Sequence, residues 1–127
     1  MEQITHIPNE AIVQKIYVIR GQKVMLDSHL AQLYGVSTKR LKEQVRRNLH
    51  RFPESFMFEL SSSEYTALRS HFATLKRGRH SKYLPYVFIE HGILMLSSVL
   101  KSEQAIAMSI QIIETFVQLR KLAQNYE

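Results

Sequence analysis

Apolar positions near the start of the chain have the pattern of two short β-strands. Ile16–Ile19 and Val24–Leu26 are rich in β-branched and aliphatic residues. Between them, Gly21-Gln22 suits a tight turn with glycine at its first central position. We therefore predict a β-hairpin over residues 16–26. Apolar residues occupy both faces of these strands, which predicts that other elements cover the hairpin.

The next segment has the spacing of a short amphipathic helix. Its apolar stripe consists of Leu30, Leu33 and Tyr34. Asp27 is a favourable N-cap residue, and Gly35 tolerates the left-handed conformation that commonly ends a helix. We predict a helix from Ser28 to Tyr34.

A second helix follows after a short turn. Ser37 or Thr38 is its predicted cap, and the helix is expected to continue to about Leu49, because the residue before Pro53 is biased away from helix. Its apolar stripe, spaced i, i+4, i+8, is Leu41, Val45 and Leu49.

Together, residues 27–49 have the pattern of a helix–turn–helix. Ala31 is small where the two helices would approach, Gly35 lies in the turn, and Leu41 follows the glycine by six residues. The common pattern has an apolar residue nine positions after the glycine, where this chain has Gln44. This departure leaves the rotation of the second helix open.

The rest of the chain mixes strands and helices. Phe56–Leu60 alternates and predicts a strand, Ser61–Ser63 would cap a helix, Tyr86–Ile89 predicts another strand, and a helix is expected from Gly92 to Leu100. A last helix would run from near Ser102 to about Ala123. The predicted fold class is α+β, with a helix–turn–helix core, short β-hairpins and a long C-terminal helix.

The last helix carries more apolar surface than one core contact needs. Two stripes lie side by side on it. The first is Ala105, Met108, Ile112, Phe116, Leu119 and Ala123, and the second is Ile106, Ile110, Ile113 and Val117. A helix buried centrally in its own domain would explain both stripes, and so would a helix that also packs on a second copy. We favour a homodimer, because two-fold pairing would place two such helix–turn–helix units on successive turns of DNA.

Positive charge is concentrated in one third of the chain. The 127 residues have a formal net charge of +6, but residues 39–82 alone carry 11 Lys or Arg against four acids. Clustered cations suit a polyanion, because each neutralised phosphate releases counterions. The same cluster is also compatible with an inert, solvated basic surface.

The first group of cations lies on the predicted second helix. With Leu41 and Val45 facing inward, the basic side chains would face outward. By their position along that helix, the candidates to read base edges are Thr38, Lys39 and Lys42, and the candidates to grip phosphates are Arg46, Arg47 and Arg51. Arg40 suits either role, depending on the helix rotation.

A second basic group occupies a polar segment that we interpret as a loop over residues 73–82. Its cations are Lys76, Arg77, Arg79 and Lys82, around Gly78. A basic loop between a helix and a strand is able to lie along a DNA backbone or enter a minor groove. A surface loop with incidental charge is the alternative.

Several ordered motifs of this chain resemble a known family. They include Leu30-Ala31-Gln32-Leu33-Tyr34-Gly35-Val36, Arg51-Phe52-Pro53-Glu54, Lys82-Tyr83-Leu84-Pro85-Tyr86-Val87-Phe88 and Glu90-His91-Gly92. Over about residues 12–122 the chain is similar to the open-reading-frame-six N-terminal domain, a relative of the KilA-N group of phage antirepressors and large DNA viruses. The resemblance implies an α+β DNA-binding domain in a phage or prophage regulator, and it does not imply an enzyme.

These observations define the expected organisation and function. We expect an N-terminal arm over residues 1–14, a DNA-binding domain over 15–101 and a packing helix over 102–127. The expected partners are double-stranded DNA and a second copy of the chain. The alternatives are a protein-interaction module that binds a repressor, as antirepressors do, and an RNA-binding domain.

Other chemistry has little support in the sequence. Cysteine is absent, which excludes disulfides, thiolate zinc sites and a thiol nucleophile. The six histidines show no i, i+4 pair, and Glu90-His91 is best explained by capping and packing. We expect no cofactor, no metal and no catalytic residue. The N-terminus lacks the pattern of a signal peptide and no segment suits a membrane span, so a cytoplasmic protein is expected.

Overall fold

A computed structural model describes residues 9–71 and 83–125 of the chain. The elements in chain order are α1 (Glu10–Val13), β1 (Ile16–Ile19), β2 (Gln22–Leu26), α2 (Asp27–Tyr34), α3 (Thr38–Arg47), a 3-10 helical turn (Leu49–Arg51), β3 (Met57–Glu59), α4 (Ser62–His71), β4 (Tyr86–Phe88), α5 (Glu90–Leu100) and α6 (Glu103–Asn125). This is an α+β fold with a long C-terminal helix, as the sequence predicts.

The predicted hairpin forms, but its turn differs from the prediction. Ile19 pairs with Gln22, so the two turn residues are Arg20 and Gly21. Both have positive φ, 56° and 74°, as a type I′ turn requires. Glycine therefore occupies the second central position, and the prediction of Gly21-Gln22 as the turn is wrong. The hairpin is also less covered than expected, since Val18 is 70% exposed.

The four strands of the described residues form one antiparallel sheet in the order β1-β2-β4-β3. β4 lies between β2 and β3, pairing Phe88 with both Met25 and Met57. The last strand of the chain is thus a central strand. Its position explains why Val87 and Phe88 are fully buried, because both faces of a central strand are covered by packed elements.

Successive residues of the strands contribute to two different cores. Met25, Met57 and Phe88 point to the larger core, which α2, α3, α5 and α6 complete. The opposite face presents a smaller core of Val24, Leu26, Phe58, Leu60 and Val87, with Tyr65 and Leu68 of α4 packed against it. The period of two along each strand therefore places the sheet between two helical layers.

α4 begins as the serine run predicts. The amide of Glu64 donates to Ser61 Oγ at 3.1 Å, and the Glu64 carboxylate accepts from the amide of Ser61 at 2.8 Å. This reciprocal pair is a capping box, which satisfies two backbone donors that the first turn of a helix leaves free.

α5 and α6 pack against each other and against α2. Ala105, Ile112 and Phe116 of the first predicted stripe are buried in the larger core. Ser109, between them, hydrogen-bonds Tyr34 of α2 at 2.8 Å, and burial raises the pKa of Tyr34 to about 12. In the second stripe, Ile106 and Ile110 are exposed.

Candidate nucleic-acid interface

α2 and α3 are joined by a three-residue turn, residues 35–37. Gly35 has φ 77°, and the amide of Val36 donates to the carbonyl of Ala31 at 3.0 Å, which closes the end of α2. Ser37 then begins α3, its side chain accepting from the amide of Arg40 at 3.0 Å. Ala31 is buried. α2, this turn and α3 form the helix–turn–helix that the sequence predicts.

The rotation of α3, which the sequence left open, places Leu41 and Val45 against the core, each fully buried. Gln44 is half-buried at the edge of this face. The helix ends at Arg47 rather than at Leu49, which lies in the 3-10 turn and is 55% exposed. The prediction that Leu49 faces inward is therefore wrong, because the change to a tighter helix after Asn48 shifts its direction.

The outer face of α3 is exposed and basic. It consists of Lys39, Arg40, Arg46 and Arg47, which we call the basic face, and Thr38 beside it is half-buried. Among residues 9–71 and 83–125, no carboxylate forms an ion pair with any of these cations. Their charge is available to a polyanion, as it would also be on an inert solvated helix.

Lys42 does not belong to this face, and the prediction that it points outward is wrong. Its side chain is only 11% exposed. The Lys42 ammonium donates to the carbonyl of Leu84 at 3.0 Å, lies 3.7 Å from the Asp27 carboxylate and lies 4.6 Å from the centre of the Tyr86 ring. A cation held by these three contacts is a structural element rather than a surface for base edges.

The position of Asp27 explains where Lys42 points. Asp27 is buried and is the first residue of α2, with Leu26 at the N-cap position, so its predicted role as N-cap is wrong. Its carboxylate accepts from the amide of Tyr86 at 2.9 Å. Burial raises the pKa of Asp27, while the Tyr86 amide and Lys42 counter that shift by favouring the carboxylate. The Asp27–Lys42 pair thus joins α2, α3 and β4.

The remaining predicted site residues divide into two groups. Arg51 lies in the exposed 3-10 turn, where its guanidinium donates to Ser98 Oγ of α5 at 3.3 Å. The second basic group, Lys76, Arg77, Arg79 and Lys82, lies outside the described residues. The chain that follows this group is anchored, because Leu84 and Tyr86 bind the Lys42 and Asp27 side chains.

Two charged residues near the domain edge escaped the sequence analysis. Lys101 is the C-cap that follows α5 and has φ 52°. Arg120 of α6 forms an ion pair with Glu90. No motif or periodicity in the sequence marks either residue. Glu90-His91 has the packing role expected for it, because Glu90 pairs with Arg120 and His91 stacks on Phe56 with ring centres 5.5 Å apart. It does not cap α5, since the N-cap is Ile89 and makes no side-chain hydrogen bond.

The described residues contain neither a cluster suited to a metal ion nor a helix suited to spanning a membrane. In the described part of the chain, no group of three histidines or acids has the arrangement to hold a metal ion. Among the described helices, none combines the length and apolarity needed to cross a membrane.

Fold and site together define an α+β domain with a helix–turn–helix whose outer face is basic. Residues 14–99 match the sequence profile of the ORF6N domain, which covers more than half of the chain. The chain therefore belongs to the ORF6N domain family, the open-reading-frame-six family indicated by its motifs. Comparisons with curated proteins and with solved structures found no match.

Proposed function

We propose that this chain is the DNA-binding domain of a phage- or prophage-type transcriptional regulator. The observation that carries the proposal is the basic face of α3, on a helix held in a helix–turn–helix by buried Leu41 and Val45. In this arrangement the second helix enters the major groove, so its outward cations meet phosphates and base edges. Membership of the ORF6N family, which is phage-related, is consistent with it.

The roles along α3 follow from position. Thr38 and Lys39 are at the N-terminal end, which reaches base edges in this kind of docking. Arg46 and Arg47 are in the last turn, where they would contact phosphates on the groove edge. Arg40 lies between these pairs and is the candidate to contact either.

Fluorescence anisotropy on a labelled duplex tests the proposal. Replacing Arg46 and Arg47 together with alanine should weaken binding to every sequence and lower the slope of log affinity against log salt by about one to two units. The matched control replaces Lys23 and Lys121, two exposed cations elsewhere, and should leave the slope unchanged. Absence of duplex binding by the wild-type chain at low salt would overturn the proposal, and tighter binding of single-stranded RNA in competition would replace it with RNA binding.

We further propose that α6 pairs with a second copy of the chain. Ile106 and Ile110 are 48% and 52% exposed on the second stripe, one helical turn apart, and such residues are favoured at homodimer contacts. Sedimentation velocity should show a dimer for the wild-type chain and a monomer when both are replaced with glutamate. A wild-type monomer at all concentrations would contradict pairing and favour α6 as a surface for a different protein, such as a repressor.

A further inference from the structure

A cleft of about 310 Å³ lies between α3 and the C-terminal end of α5. One wall consists of Arg40, Gln44 and Asn48, which follow one another at i, i+4, i+8 along α3 and its C-cap. The segment from Ser98 to Lys101 forms the other wall, and Arg51 of the 3-10 turn also lines the cleft. The cleft is therefore contiguous with the basic face, because Arg40 belongs to both.

The described residues that line this cleft carry positive charge without compensating acids. Among them the cations are Arg40, Arg51 and Lys101, and none carries a carboxylate. Within the described residues, none of these cations forms an ion pair. Concave sites of one charge sign concentrate counter-ions, so the cleft favours a multiply charged anion.

Side-chain amides add neutral donors to the same wall. Asn48 Nδ2 donates to the carbonyl of Gln44 at 2.8 Å, which holds the Asn48 amide at the cleft and leaves its second N–H free to donate to a ligand. The Gln44 side chain makes no hydrogen bond to any described residue. Gln44 is the residue that departs from the helix–turn–helix pattern, and its place on the cleft wall gives a reason for a polar side chain there.

Lys101 occupies a backbone conformation that normally favours glycine. It is the C-cap of α5, with φ 52° and ψ 39°, in the left-handed region where a side chain is unfavourable. A lysine at such a position retains a cation at the cleft that glycine would lack. Unfavourable backbone conformations of this kind cluster at functional sites, although a turn such as that of Arg20 also adopts one.

We propose that this cleft binds a phosphate group, with Lys101 and Arg51 as its charged contacts and Gln44 and Asn48 as neutral donors. Guanidinium, ammonium and amide donors together match the several acceptor oxygens of a phosphate. The source we favour is a backbone phosphate of the duplex bound by α3, and this part of the proposal rests on the proposed function. A free phosphate compound offers the same chemistry.

Two measurements on the full chain separate these sources. In the first, inorganic pyrophosphate is titrated into the protein, and its binding is followed by the NMR chemical shifts of the backbone amides of residues 48 and 98–101. In the second, duplex binding is measured against salt. Lys101→Gly and Arg51→Gln should each weaken pyrophosphate binding by roughly threefold or more and lower the duplex salt slope by about one unit. Lys121→Gln, an exposed cation on α6, is the control and should change neither.

Lys101→Gly also separates binding from a structural role. Glycine relieves the left-handed backbone, so this variant should keep or raise Tm while binding phosphate less well. A change in the duplex slope supports the backbone phosphate as the source. If the chain does not bind duplex DNA but pyrophosphate causes shifts that the variants weaken, the cleft binds a free phosphate compound. That result overturns only the proposed function. The proposal that the cleft binds phosphate would be overturned if the variants leave the duplex salt slope unchanged and the pyrophosphate shifts are absent or unaffected by the variants.

Discussion

Cations on the two sides of α3 have opposite environments, although the sequence places them in one run. Lys42 is 11% exposed and lies against the buried carboxylate of Asp27, whereas Arg46 and Arg47, one turn later, are exposed and without a carboxylate partner in the described part of the chain. The difference shows that basic composition alone does not identify an interface. Lys42 holds α3 in place, whereas Arg46 and Arg47 are exposed to solvent on its outer face.

A third environment lies between these extremes. Arg20, in the hairpin turn, is exposed but paired, with its guanidinium 2.8 Å from the Glu64 carboxylate and 4.0 Å from the centre of the Phe58 ring. It joins the hairpin to the start of α4. Pairing and burial are therefore separate properties of a cation, and variants at these three places distinguish their effects.

The largest effect is expected from Lys42→Met, which leaves Asp27 buried without its counter-charge. Loss of one partner from a buried pair costs about 3 kcal/mol or more, and urea unfolding near pH 7 should show this loss. The deficit should shrink as the pH falls. Burial raises the pKa of Asp27, and protonated Asp27 needs no counter-charge.

Two controls accompany this variant. Arg46→Met removes the same charge from the exposed face and should change the free energy of unfolding by no more than about 0.5 kcal/mol. The double variant Asp27→Asn with Lys42→Met should recover part of the loss. Equal unfolding midpoints for Lys42→Met and Arg46→Met would show that the buried pair does not stabilise the domain.

A smaller, pH-dependent effect is expected at the exposed pair. The hydrogen bond from Arg20, together with the Ser61 amide, lowers the pKa of Glu64 from 4.5 to about 2. A carboxylate whose pKa is depressed on folding stabilises the folded state above its unfolded pKa and loses that contribution as the pH falls toward its folded pKa. Glu64→Gln should therefore lower Tm by a few degrees at neutral pH, and this difference should disappear between about pH 4.5 and pH 2.

Glu59→Gln is the matched control for this measurement. Glu59 is exposed on β3, and only its backbone carbonyl accepts from Arg20, at 3.5 Å. The variant keeps the Arg20–Glu64 pair and the capping box, so its Tm should stay close to that of the wild-type chain. A Tm difference for Glu64→Gln that stays constant down to pH 2 would contradict the ion pair as its cause, because glutamine keeps an acceptor for the Ser61 amide and removes only the charge.

Local sequence patterns located most elements correctly. Hairpin strands, the two helices around Gly35, the serine-capped α4 and the long α6 all follow from periodicity and capping, which depend on neighbouring residues. The error at Leu49 is local, because the helix tightens directly before it, whereas two other errors are at places where pairing with other residues decides. The Arg20-Gly21 turn depends on strand register, and the inward direction of Lys42 depends on Asp27, 15 positions earlier.

The sequence by itself determined the α+β class, the helix–turn–helix around Gly35, the concentration of positive charge and the family. Only the tertiary structure decided that β4 is inserted between β2 and β3, that Lys42 is structural, and that Arg40, Arg51 and Lys101 surround one cleft. The physical reason is the distance along the chain over which each interaction acts. Propensity, periodicity and capping act within a few residues, whereas strand order, buried ion pairs and clefts depend on residues that only the packed core brings together.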